Sequence, residues 1–397
     1  MASDSVVIVS AARTAIGSFG GIFKDISAIE LGKAAIQAAI DRSGIELAAI
    51  DDVMMGNVLQ AGLGQNPARQ AALAAGIPAA SRALTINHVC GSGLSAVSLA
   101  ANAISCGNSD IIAAGGMENM SLAPYLLPAA RAGYRMGNQN VIDSMMHDGL
   151  RCAANDYAMG ITAENLCEQF NFSREQLDQF AYNSQLKTKE AVLAGNFKDE
   201  IVRISLPQKK GSAITVAEDE YPRPDTNLDA LGKLRPAFKP AGIVTAGNSS
   251  GINDGAAALL LMTEAKARSL GLKPLASIRA HAAAGVDPAY MGLGPIPATE
   301  RVLKRAGLQL TDIDLFEVNE AFAAQALAYT MHFDIDPSRF NVNGGAIALG
   351  HPIGASGARV LVTLLYELRR RKARYGLASL CIGGGQGVAM IIENSFH

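Results

Sequence analysis

Short, wholly apolar runs alternate along the chain with stretches whose apolar residues recur every three or four positions. That is the pattern of buried strands feeding amphipathic helices. Val6 to Val9 is the first such run, and a glycine-rich turn (Gly17, Gly20, Gly21) follows it. A helical period then extends from about Ala28 to Ser43, and Val53 to Val58 reads as the next strand. An Ala-rich helix is expected from about Pro67 to Ala75. Asn66 is its candidate N-cap, and Pro67 suits the first helical position, where an N–H would go unpaired anyway. Strand–helix alternation of this kind predicts an α/β architecture with a central sheet covered on its faces.

The pattern also repeats. Laying Arg42-Ser43-Gly44-Ile45-Glu46-Leu47 over Arg305-Ala306-Gly307-Leu308-Gln309-Leu310 sets an offset of 263, from Gly44 to Gly307. The same offset pairs Ile50-Asp51 with Ile313-Asp314 and brings Cys90-Gly91 opposite Ile353-Gly354. Agreement without gaps from 42 to 91 reads as a duplication. Between the halves the character changes, with frequent charges (Arg174, Glu175, Glu190, Lys198, Asp199, Glu200) and the turn-rich Tyr221-Pro222-Arg223-Pro224-Asp225. The expected division is residues 1–121 with 251–273 as the first half, 122–250 as an inserted domain carrying substrate contacts, and 274–397 as the second half.

Composition narrows the class. With 49% hydrophobic and 18% charged residues in 397, the chain is globular, and its length suits two or three domains. A net charge of -2 argues against a nucleic-acid partner. The basic run Arg369 to Lys372 suits the end of a helix, where cations meet the negative end of its dipole. No apolar stretch is long enough to span a bilayer, and Ala256 to Met262 reads as a short buried segment. The N-terminus shows no basic leader, and Ser395-Phe396-His397 is no retrieval or peroxisomal tripeptide, so a cytoplasmic protein is expected. The five cysteines (90, 106, 152, 167, 381) are odd in number and lack CxxC spacing, which predicts neither a disulfide framework nor a metal site. Cys106, Cys152 and Cys167 are expected to be small buried hydrophobes.

Cys90 and Cys381 differ in their surroundings. Cys90 sits in Asn87-His88-Val89-Cys90-Gly91-Ser92-Gly93, between an apolar strand and a helical run from Leu94 to Ile104. A cysteine at such an elbow would meet unpaired N–H groups and the positive end of a helix, both favouring the reactive thiolate. The motif fits a buried structural cysteine beside a glycine turn equally well. His351, in Gly350-His351-Pro352-Ile353-Gly354, lies on a glycine-rich loop and is a candidate base. His88 is a rival, sharing a strand face with Cys90. Cys381 opens Cys381-Ile382-Gly383-Gly384-Gly385-Gln386-Gly387, whose glycines allow backbone N–H groups to converge on an oxyanion, though a core thiol ending a strand explains it too. Asn319, in Asn319-Glu320-Ala321-Phe322, can hold a water or a carbonyl, or merely cap a helix. The absence of GxGxxG speaks against a dinucleotide enzyme.

These motifs, with Gly115-Gly116-Met117-Glu118-Asn119-Met120-Ser121, stand in the order seen in thiolases over the whole chain. The sequence most resembles the bacterial short-chain acetyl-CoA acetyltransferases of that family. The resemblance implies a duplicated thiolase-like core, two βαβαβαββ-type halves layered α/β/α/β/α, with an inserted loop domain. It implies a reversible Claisen condensation of two acetyl-CoA to acetoacetyl-CoA and CoA through an acyl-cysteine. Cys90 would be the nucleophile and Cys381 the acid/base. His351 would activate Cys90 and, with a water held by Asn319, bind one thioester oxygen, while the N–H groups of Cys90 and Gly383 would form the second oxyanion site. Ser250 matches the family's pantetheine-binding serine, with Ala246 in the same segment, and Arg223 a residue near the nucleotide end. Met159, Phe238 and Met291 match side chains that narrow the acyl pocket. Acyl-CoA is the only small-molecule partner implied, with no cofactor and no membrane, and a homotetramer (a dimer of dimers) assembles through a loop within 121–148. One departure stands out: the family's His-Met-Gly is Ala158-Met159-Gly160 here. A 3-ketoacyl-CoA thiolase of broader chain length is the alternative reading, and a CoA- or lipid-binding protein of this fold without turnover is the non-enzyme one.

Overall fold

The computed structural model describes residues 4–207 and 212–396; His397, the end of the C-terminal tripeptide, lies outside them. The first half supplies β1 (Val6–Arg13), α1 (Ala28–Ser43), β2 (Asp52–Gly56), α2 (Pro67–Ala74), β3 (Arg82–Ile86), α3 (Ser92–Ser105) and β4 (Ile111–Asn119). The connecting segment carries α4 (Met159–Phe170) and α5 (Arg174–Ala194), after which β5 (Asn253–Thr263) returns to the sheet. The second half follows with β6 (Ala276–Gly285), α6 (Pro295–Ala306), β7 (Leu315–Val318), α7 (Ala323–Phe333), α8 (Ser356–Arg371), β8 (Tyr375–Ile382) and β9 (Gln386–Asn394).

Sequence chemistry explains the helix ends. Ser27 and Glu30 form a capping box before α1, and the Asn66 side chain accepts the Arg69 N–H ahead of Pro67. Gly44 and Gly307 end α1 and α6 with left-handed φ of 71° and 68°. Both are followed by a single turn, Leu47–Ala49 and Leu310–Asp312, and then a parallel strand, β2 and β7. The repeat therefore persists in three dimensions through α3 and α8 to β4 and β8.

The sheet order is β7-β8-β9-β6-β1-β5-β4-β2-β3, with Gly17–Ser18 pairing β5 off this path. In the middle, β1 meets β6 over a short register, Val7–Ser277 and Ile8–Ala276, with the Leu275 N–H donating to the Ile8 carbonyl (2.7 Å). The sheet folds over at this narrow seam. α1 and α2 cover the outer face of the first half, and α6 and α7 that of the second. α3 and α8 lie between the halves, with Leu94, Val97, Leu361 and Leu365 packed against Ile8, Leu259, Leu380 and Met390 from both. The layering is α/β/α/β/α. A Cβ on Gly93 would lie 2.7 Å from the Ala358 nitrogen, and one on Gly357 2.3 Å from the Leu94 nitrogen, so the central helices touch backbone to backbone.

α4 and α5 pack with Leu231 and Val244 over Phe322 and Cys381 of the second half. On the other side, fully buried Arg13 of β1 holds Glu200 (2.6 Å) and Asp219 (2.7 and 2.9 Å). Burial alone would expel such a cation, and two carboxylates at hydrogen-bond distance offset that. Cys152 and Cys167 are buried as expected; Cys106, at the C-cap of α3, is exposed because the helix ends there. Among the described residues no helix is long and apolar enough to cross a membrane.

Candidate active site

β3 ends at Ile86, and the chain reverses into α3 within five residues. Val89 takes φ +44°, a costly conformation for a β-branched side chain (about 1–3 kcal/mol) that the surroundings must enforce. They do so through a local hydrogen-bond knot. The Gly91 and Ser92 N–H groups donate to the His88 and Val89 carbonyls (3.0 and 3.1 Å). Ser92 Oγ accepts the His88 N–H (2.8 Å) and donates to the Val89 carbonyl (2.6 Å). Cys90 therefore stands at the tip of an elbow, immediately before α3.

The Gly383 N–H and the N–H of Cys90 itself both reach the Cys90 sulfur. Each favours the thiolate, as the elbow predicts, but burial dominates and pushes the thiol up to about 11, with Glu118 adding to the rise. Cys381, buried near the end of β8, is pushed higher still by burial and by the nearby Cys90. The expected bias toward thiolate is thus reversed at rest, because desolvation outweighs two hydrogen bonds.

His351 is buried, its backbone N–H held by Asn253 Oδ1 (2.8 Å). Its Nδ1 lies 2.6 Å from Ser356 Oγ, whose own proton is directed to the Pro352 carbonyl (2.9 Å). Nδ1 therefore donates, which leaves the lone pair on Nε2. Nε2 faces the Asn319 amide nitrogen at 3.5 Å, and Asn319 Oδ1 is buried without a partner among the described residues. Burial, then the Arg359 cation, lowers the imidazole to about 3. His88 is placed differently. Its Nε2 donates to Gln386 Oε1 (3.1 Å) and its Nδ1 accepts from Ser95 Oγ (2.7 Å), so neither nitrogen is free to act as a base.

A cavity of about 620 Å3 leads from His351 to the surface. Met159, Phe238, Ala246 and Ser250 line it, and the exposed Arg223 stands at its mouth with its guanidinium over Tyr221. Cys90 packs against Met120, Leu150, Ile252 and Ile353 of its wall. Cys381 packs in one cluster with the wall residues Met159, Phe238 and Phe322. Met291 belongs to that cluster too but lies behind the wall rather than on it. The residue that does face the cavity is Phe322, edge-on to Phe238 at 6.1 Å. Ala158 also faces it, at the uncapped start of α4.

Two supporting residues escaped the sequence reading. Ser356 fixes the His351 tautomer; its signal was a hydroxyl opening the helix after the histidine loop. Glu118 is a carboxylate inside an otherwise apolar strand, and that incongruity was visible. It accepts N–H groups from Asn57 (2.8 Å), Val58 (3.0 Å) and Leu59 (3.2 Å) of one half and Gly354 (2.9 Å) of the other. Burial nevertheless pushes it up to about 7.

A five-layered core with His351 on the wall of a long channel, Asn319 against its Nε2, and Cys90 and Cys381 packed in the clusters that form that wall is the arrangement of an acyl-thioester enzyme. The thiolase N-terminal domain matches residues 6–265 and the thiolase C-terminal domain residues 272–394, and the chain belongs to the thiolase family. It is 57% identical to the acetyl-CoA acetyltransferase of Pseudomonas aeruginosa over 389 residues, covering 98% of this chain and 99% of that protein. It is also 57% identical to the acetyl-CoA acetyltransferase of Escherichia coli (strain K12) over 388 residues, covering 98% of each. The crystal structure of the Bacillus anthracis acetyl-CoA acetyltransferase superimposes with a TM-score of 0.97 at 44% identity, covering 99% of both chains.

Proposed function

We propose that the protein is an acetyl-CoA C-acetyltransferase, interconverting two acetyl-CoA with acetoacetyl-CoA and CoA through an acetyl-Cys90 intermediate. The observation that carries the reading is the lone-paired Nε2 of His351, with Asn319 beside it, on a channel whose mouth bears Arg223 and whose wall cluster includes Cys90. A cation at the solvent end suits the phosphates of CoA, and Ser250 and Ala246 line the path of its pantetheine arm.

Proton accounting assigns the roles. His351 Nε2 takes the Cys90 proton as the sulfur attacks the first thioester carbonyl. Cys381, held as a thiol by burial, gives its proton to the departing CoA sulfur and becomes the base for the weakly acidic α-carbon of the second acetyl-CoA. The imidazolium, with a water held by Asn319, stabilises the enolate oxygen. The N–H groups of Cys90 and Gly383 stabilise the oxyanion formed when the enolate attacks acetyl-Cys90. Collapse expels the Cys90 sulfur, which recovers its proton from His351, and Cys381 keeps the α-proton. The cycle closes with no cofactor beyond the thioesters.

Cys381→Ala should still gain an acetyl mass on the Cys90 peptide yet lose condensation by at least about 10³-fold. Equal loss of both steps would sink the division of labour. A broader-chain 3-ketoacyl-CoA thiolase is the second reading, favoured by the small Ala158 in the channel wall. Thiolysis rates across acetoacetyl-CoA and longer 3-ketoacyl-CoAs decide between them. Oligomerisation has a candidate surface in the ribbon Tyr125–Leu126 with Ile142–Asp143, whose surroundings expose Leu127, Met136 and Val141. A homotetramer is the expected assembly, and light scattering reporting a monomer would contradict it. The expected setting is the cytoplasm and the acyl-CoA pool of fatty acid metabolism; activity sedimenting with membranes would contradict that.

A further inference from the structure

Behind the His351–Asn319 pair lies a buried ion pair that the reaction scheme does not use. Arg359 follows Ser356 by one helical turn on α8, and its Nη1 donates to Glu317 Oε1 at 3.0 Å. Glu317 lies on β7, two residues before Asn319, which follows the end of that strand and donates its N–H to the Ser379 carbonyl of β8 (2.9 Å). Both side chains are almost wholly buried. The five positions close a ring: His351 to Ser356, one turn of helix to Arg359, across to Glu317, past the strand end to Asn319, and back to His351. Each gap is a hydrogen bond, a turn of helix or a two-residue step at the end of a strand.

Stability does not account for this pair. Buried ion pairs are often matched or bettered by apolar groups of the same volume. Here Nε and Nη2 of Arg359 are buried with no partner among the described residues, which costs further. A guanidinium kept under such conditions is doing something other than holding the core together.

We infer that Arg359, clamped by Glu317, is a positioning residue that fixes His351 and Asn319 relative to one another. The inference rests on His351 being the base that accepts the Cys90 proton. The charged groups around the clamp agree with it. Glu317 faces Arg359 from β7 and Glu200 faces it from the segment after α5, while Glu320 faces Glu317 and Arg13 of β1 holds Glu200. Of all these, only Arg359 acts on His351 appreciably, and it lowers the imidazole's proton affinity. Burial, with Glu320 and Glu200 adding to it, raises Glu317 against the lowering by Arg359, so loss of the cation would protonate it rather than strand an anion.

The test is the double variant Arg359→Met/Glu317→Gln, which neutralises both ends and leaves no charge unpaired, beside Arg359→Lys, which keeps the charge but loses the fork. In the double variant kcat should fall at least about tenfold with KM within about twofold. Arg359→Lys should lose kcat at least about fivefold, again with KM nearly unchanged. A double variant whose kcat stays within about twofold, or whose loss is matched by a rise in KM, overturns the inference. If the double variant does not fold, the lysine variant decides alone, and an unchanged kcat overturns the proposal. His351→Ala separates the two readings. An active His351→Ala enzyme sinks the base assignment and this inference with it. An inactive one beside a double variant of unchanged kcat sinks the inference alone.

Discussion

Burial moves Cys90 and His351 in opposite directions, the thiol up to about 11 and the imidazole down to about 3, because in each case the charged form is the one desolvation penalises. At neutral pH the resting pair is therefore thiol and neutral imidazole. In the mechanism proposed above, proton transfer waits for the developing oxyanion, which would sit in the field of the Gly383 N–H and offset the desolvation. A consequence is that the free enzyme's Cys90 should alkylate slowly at neutral pH. Its rate with iodoacetamide, followed on the Cys90 peptide to separate it from exposed Cys106, should rise about tenfold per pH unit from pH 7 to 9. A plateau reached below pH 8 would show a preformed thiolate and defeat the neutral-pair description. Sequence alone favoured the opposite sign here. The elbow, the glycines and the helix start were all legible around Cys90, but the apolar cluster that desolvates this half-buried thiol draws Met120, Leu150, Ile252 and Ile353 from four distant segments.

The elements that bring the catalytic loops together are α3 and α8. Each begins within a few residues of its loop, at Ser92 after Cys90 and at Ser356 after His351. Their contact thus sets the separation of the nucleophile's elbow from the histidine's loop. It is made at Gly93 and Gly357, where backbone meets backbone and nothing can give way. Gly357→Ala should force the helices apart, destabilising the fold by about 1–3 kcal/mol or more and lowering activity beyond what the lost stability explains. Activity per folded molecule, with the folded fraction taken from circular dichroism, checks this; unchanged specific activity would mean that the crossing does not set the site. The duplication was readable because its signals are local, glycine caps and turns at a constant offset. The pairing of the two repeated helices with each other was not, since Gly93 and Gly357 look like ordinary helix-entry glycines until the halves fold together. Glu118 shows the same limit, its odd character visible within β4 but its grip on Gly354 of the other half decided only by tertiary structure.

Taken as one body, the molecule gathers several buried ionisable groups around the seam between its halves, and their shifts combine into a stability profile with a definite sign. Glu118 is raised from 4.5 to about 7, so the folded state holds a proton that the unfolded chain has already released. Its contribution is fully present below pH 4.5 and is lost as pH rises through 7. His351 runs the other way. Lowered from 6.5 to about 3, it penalises the fold at acid pH, where the unfolded imidazole binds a proton and the folded one does not, and that penalty is gone above 6.5. Between pH 4.5 and 6.5 the carboxyl and imidazole terms oppose each other and stability should change little. Above pH 6.5 only the carboxyl term remains, so the melting temperature of the free enzyme should fall between pH 6.5 and 8, by about 1 °C or more. Glu118→Gln removes that titration and should flatten the slope. A melting temperature that rises across the same interval would mean that Glu118 is ionised well below neutrality. In that case its four N–H donors outweigh the burial that raises it.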